Sequence, residues 1–278
     1  MRTLARARAD EGIRANAIPL TGQRADYDAL VEAAGACRYV LLGEASHGTH
    51  EFYKARAVIT KRLILEKNFN AIAWEADWPD AVRVNRFIQG RGSDATSLDA
   101  LGDFERFPQW MWRNADVLDF IGWLRAHNEN AGPEARVGVY GLDLYSLHAS
   151  IQAVVSYLSR VDPAAAEEAR RRYSCFDDFG EDPQAYGLTA GVDASLSCEE
   201  EVVEQLKELQ RKTAGILSHD GRLASDELFF AKQNAIVARE AESYYRAFES
   251  SPFRHFNFNP CLPSEKTLPP KPITPDCM

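Results

Sequence analysis

Three short apolar runs stand out along the chain: YVLLGEA (39–45), FNAIAWEA (69–76) and ARVGVYGLDL (135–144). Each is continuous rather than alternating, the pattern of a strand buried on both faces. Helical periodicity follows each one, over 48–67, 79–90 and 146–160, and a further helix over 113–130 precedes VGVYG. Alternating strands and helices predict an α/β fold, a parallel sheet flanked by helices.

The pattern changes after residue 163. PAAAEEARRRYSCFDDF reads as a polar helix, and GEDPQAYGLTAGVDASLSC as a loop. Two longer helical stretches follow, 198–218 and 224–248, each with an apolar face carried by Leu206, Leu209, Leu217, Leu228 and Ile236. The Asp220–Gly221 turn signal between them predicts an antiparallel hairpin. Residues 252–278 hold seven of the thirteen prolines and read as an extended, disordered tail. The expected organisation is a single α/β domain over 1–251, with the hairpin region at about 163–248, and then the tail.

The 278 residues carry 41 acidic and 32 basic side chains, a net charge of −9, which argues against a nucleic-acid partner. No run approaches the roughly 18 apolar residues of a membrane span, and the basic N-terminus lacks the apolar core of a signal peptide. Five cysteines without CxxC spacing suggest neither a zinc site nor a disulfide framework. A cytoplasmic protein acting on a small molecule, without membrane association, is the expectation; its oligomeric state is left open.

Candidate chemistry gathers where the apolar runs end. Ligands of open parallel α/β sheets bind beyond the carboxyl ends of the strands. Here those ends carry Glu44 in LLGEAS, Glu75 in IAWEADW and Asp143 in VYGLDL. His47 lies three residues past Glu44. A carboxylate on one ring nitrogen would fix the tautomer and leave the other nitrogen to deprotonate water. Arg56, about two and a half helical turns further on, is placed to pair with Glu44 or Glu75.

Each of these residues also has a plainer reading, since strand-end carboxylates often cap the next helix, as Asp77 before Pro79 is placed to do. HGTHE supplies His47, His50 and Glu51 to a second possibility, a metal site, although its spacing is neither HExxH nor its inverse. No metal or other cofactor is expected. Ser46 adjoins His47 too closely for a nucleophile–base pair, GxSxG is absent, and so are the Gly-rich phosphate loops. His127 and His219 lie in polar stretches and are expected to be exposed. Trp110 and Trp112, in FERFPQWMWRNADV, are either core residues or a rim contacting an apolar ligand.

LLGEASHGTHEFYKAR, IAWEADWPDAVRVNRFI, FPQWMWRNADVLDFIGWLR and VGVYGLDLYSL together resemble, in order, the successive motifs of the erythromycin esterase family. The resemblance runs from about residue 20 to about 248. It implies a parallel α/β fold with additional helices and a metal-independent hydrolase that opens macrolactone esters with histidine-activated water, as in macrolide inactivation and antibiotic resistance. By position it implies His47 as the base and Glu44, Arg56 and Glu75 as the charged residues around it. Family members run longer and add active-site residues, histidines among them, beyond the long helices. Here the pattern breaks off near Phe248, and His255 in FRHFNF matches no family motif. That break keeps open an alternative, a truncated or frameshifted member of the same fold that binds a ligand without catalysis.

Overall fold

A computed structural model of the chain describes residues 11–250 apart from 36, 107 and 181; the side chains of 212–225 and 248–250 are likewise not described. The tail expected over 252–278 and the side chain of His219 lie outside the described residues. Two compact units divide between Asn70 and Ala71.

The first unit includes helices α1 (Asp28–Ala34) and α2 (His50–Lys67). Ala34, Ile59 and Leu63 form its apolar centre, with Tyr27, Val40, Leu42 and Phe69 packed on it. Arg62 fastens α2 to α1, meeting Asp28 at 2.6 Å and Glu66 at 2.8 Å. The run 39–45, expected as the first strand, forms none. Its burial alternates: Val40 and Leu42 rest on the helices, while Tyr39 and Leu41 are exposed, Leu41 at 94%. The segment is therefore held by the side chains of one face, without ladder hydrogen bonds.

The second unit contains the sheet, formed by β1 (Ala71–Asp77) and β2 (Gly138–Asp143). The strands are parallel, Ala71 opposite Gly138 and Asp77 opposite Asp143, with a register irregularity between Trp74 and Asp77. Gly141 is required there, because a Cβ would stand 2.5 Å from the Ala76 carbonyl oxygen. Helix α3 (Trp78–Ile88) follows β1 directly, with Pro79 in its first turn, and α4 (Ala115–Asn130) starts at the Asn114 cap. Two buried asparagines satisfy the strand edge: Asn85 Oδ1 accepts from Val139 N at 2.9 Å, and Asn128 Oδ1 accepts from Val137 N at 2.8 Å.

Helices α5 (Leu147–Val161), α6 (Pro163–Tyr173), α7 (Pro183–Ala190) and α8 (Glu199–Ser250) complete this unit around one large apolar cluster. Three expectations are corrected here. The segment 180–198 is not simply a loop: Asp182 caps α7, accepting from Gln184 N at 2.9 Å, and Tyr186, Gly187 and Ala190 bury that helix. The hairpin is one continuous helix of 52 residues. Gly215 and Gly221 each cost only about 1 kcal/mol relative to Ala inside a helix, too little to force a turn where no proline intervenes. Finally, Cys175 and Cys198, which no spacing rule links, are joined as a disulfide with Cα atoms 5.9 Å apart. The fold is thus mostly helical α/β, a small parallel sheet flanked by helices.

Candidate active site

In the first unit, the turn leading into α2 gathers Glu44, His47 and Arg56. Gly48, at φ 76°, reverses the backbone immediately after His47, and only glycine adopts that conformation without strain. Ser46 and Thr49 pair their hydroxyls across the turn at 2.9 Å. His47 Nδ1 contacts Glu44 Oε1, while Arg56 Nη2 meets Glu44 Oε2 at 2.7 Å. The Arg56 contact is an ion pair at good distance but lacks hydrogen-bond alignment.

A carboxylate only accepts, so the proton of a neutral His47 lies on Nδ1 and the lone pair on Nε2. Glu44 is 8% exposed and His47 43%, so the carboxylate is sheltered while the imidazole reaches solvent. Arg56 also lies 4.8 Å over the ring of Tyr53, whose hydroxyl accepts from Gly48 N at 3.5 Å. Burial of that phenol raises its pKa, so it stays neutral. The arrangement is a histidine fixed in one tautomer by a buried, charge-compensated carboxylate.

In the second unit, Glu75 is exposed on β1, and its backbone carbonyl accepts from Trp112 Nε1 at 3.1 Å. Trp112 is 9% exposed and stacks on Trp74 with centroids 4.9 Å apart, the packing of a core residue, whereas Trp110 is half-buried. Asp143 ends β2 beside Asp77, and Arg106 serves both strand ends. Its Nε donates to Asp77 Oδ2 at 2.9 Å, and its Nη2 stands 4.0 Å from Asp143 Oδ2. The same guanidinium lies 4.9 Å from the Tyr145 ring.

Asp77 holds the N-cap position of α3 but makes no side-chain cap bond; Arg106 takes Oδ2 instead, leaving Oδ1 buried without a hydrogen bond. Burial, and then the charge of Asp77, push Asp80 up to about 7. Arg106 and Asp80 are the residues that sequence reasoning missed. The usable signal was the density of carboxylates around the strand ends, which calls for a nearby cation. His127, expected to be exposed, is half-buried against Trp123 at 5.3 Å. Among the described residues, no group of three His, Cys, Asp or Glu side chains is arranged to hold a metal ion. Nor, among them, is any helix long and apolar enough to cross a membrane.

A model of the family described as erythromycin esterase matches residues 64–258, a span that begins within α2, after Glu44, His47 and Arg56, and includes Glu75, Trp110, Trp112 and Asp143. Over 119 residues the chain is 28% identical to erythromycin esterase type II of Escherichia coli, covering 43% of this chain and 26% of that protein. Among solved structures, a succinoglycan biosynthesis protein superposes with a TM-score of 0.65 at 21% identity, over 85% of this chain and 56% of the other. An erythromycin esterase mutant in its open conformation gives 0.55 at 15% identity, over 82% and 54%. The chain therefore spans about half the length of these structural relatives, and at such identities the likeness establishes the fold.

Proposed function

The chain belongs to the erythromycin esterase family, and from that membership we propose that it is a metal-independent hydrolase of carboxylic esters, macrolactones among them, in which His47 activates water. The contact of His47 Nδ1 with Glu44 Oε1 carries this reading, because it leaves Nε2 basic and solvent-accessible. Water deprotonated at Nε2 attacks the ester carbonyl, and the imidazolium so formed is stabilised by Glu44 through Nδ1–H. The proton then passes from Nε2 to the departing alkoxide, which regenerates the base. Arg56 pairs with the other oxygen of Glu44 at 2.7 Å and balances its charge.

Glu75 is assigned a supporting role in orienting substrate or water. Asp143 and the half-buried Trp110 are assigned to substrate binding, as is Trp112, which is packed on Trp74.

The test is hydrolysis of erythromycin and a panel of simple esters by the full chain, with and without a chelator. Turnover that is unaffected by chelation and linear from the first turnover supports direct attack by water. A burst of product, as an acyl-enzyme gives, overturns it. Absence of turnover by well-folded protein overturns the assignment for these substrates.

A further inference from the structure

Tyr53 and Arg56 stand three residues apart on α2, so their side chains share one face of the helix. The Tyr53 ring is 5% exposed, and the Arg56 guanidinium lies over it, 4.8 Å from its centre. The Tyr53 hydroxyl accepts from Gly48 N at a long 3.5 Å, so the ring face is the stronger tie.

Arginine and a carboxylate favour a fork, two parallel N–H···O bonds that take both oxygens. Arg62 makes that fork on the same helix, with Nε and Nη2 donating to the two oxygens of Glu66 at 2.8 and 2.9 Å. Arg56 does not. Its Nη2 stands 2.7 Å from Glu44 Oε2 without hydrogen-bond alignment, and Oε1 is left to His47 Nδ1. A guanidinium seated on a ring is not free to turn its edge squarely to Glu44, and the seat accounts for the off-axis pair.

We propose that Tyr53 is a positioning residue: its ring restricts Arg56 to one oxygen of Glu44, which reserves the other for His47 and so sets the imidazole tautomer. Without the ring, Arg56 forks both oxygens and His47 Nδ1–H loses its acceptor. The part this plays in hydrolysis rests on His47 as the base; the tautomer itself is read without turnover.

The test is nitrogen NMR of the full chain carrying isotope-labelled histidine, at an alkaline pH where the imidazole is neutral, with His47→Ala to assign the signal. Wild type should show Nδ1–H, and Tyr53→Phe, which keeps the ring, should show it too. Tyr53→Leu should shift the tautomer ratio toward Nε2–H by about tenfold, as loss of a hydrogen bond to a charged acceptor does. Circular dichroism checks the fold, and Tyr53→Met repeats the test should leucine not pack. Lysine forms no fork, so in an Arg56→Lys background Tyr53→Leu should bring no further shift. Nδ1–H retained in folded Tyr53→Leu overturns the proposal, as does its loss in Tyr53→Phe. An equal shift in both backgrounds, the mark of a merely packing role, overturns it as well. This pattern without ester turnover overturns the hydrolytic reading alone, and turnover without the pattern overturns the role of Tyr53 alone.

Discussion

Gly48 makes the His47 turn possible, and its backbone conformation is the most local determinant of the candidate base. Gly48→Ala forces a Cβ into the left-handed region, at a cost of about 1–2 kcal/mol. Urea denaturation should show that loss. Activity should fall as well, since the displaced turn also carries the Glu44 partner; unchanged stability would show that the turn relaxes freely. The Glu44, His47 and Arg56 grouping was legible in the sequence because every link in it is local: three residues separate Glu44 from His47, and one helix carries Arg56 back over the turn. Arg106 was not legible for the opposite reason. It reaches Asp77 across 29 residues, and nothing in FERFPQ marks that arginine apart from a solvated one.

At the scale of elements, the sequence located the two paired strands and mistook for a third a segment that packs on helices by one face only. FNAIAWEA and ARVGVYGLDL contain the paired strands, whereas YVLLGEA has the same composition without a ladder partner among the described residues. Apolar composition marks burial on a face, not pairing. The long helix α8 was misjudged as a hairpin because a local turn signal was given more weight than the small cost of glycine within a helix. Near its end α8 packs on α7, where Gly187 lies so close to the Tyr245 backbone that any Cβ collides with its carbonyl. Gly187→Ala should therefore destabilise by about 1–3 kcal/mol in chemical denaturation, although alanine is the better helix former; a gain in stability would contradict the close approach.

Helix α3 has a pH dependence of its own. Asp80 in its first turn is pushed up to about 7, well above the ordinary carboxylate range, chiefly by burial. The folded chain thus holds this proton more tightly than the unfolded chain. The associated stability is full below about pH 4 and is lost as pH rises through 7. Asp80→Asn should match wild type near pH 4 and exceed it at pH 8 by on the order of 2 kcal/mol, a value reduced for partial solvent screening. A constant difference across that range would contradict the shift.

For the whole molecule, the family and the α/β class were legible because they rest on ordered motifs, each a strand end followed by a helix start. The cysteine pair was not, since a separation of 23 residues with no motif gives no hint of contact. Cys175 and Cys198 close a loop that contains α7 and ends one residue before α8. Cys175→Ser with Cys198→Ser should lower stability by about 3 kcal/mol. Wild type should release two further reactive thiols only after reduction and denaturation; equal thiol counts before and after reduction would contradict the bond.

The central claim, that one histidine held by a buried carboxylate drives hydrolysis, is tested most directly by comparing wild type with His47→Ala on the best ester substrate, at matched circular dichroism. The account predicts that kcat/KM falls on the order of a hundredfold or more, the contribution of a general base. An unchanged rate in a folded His47→Ala protein would contradict it.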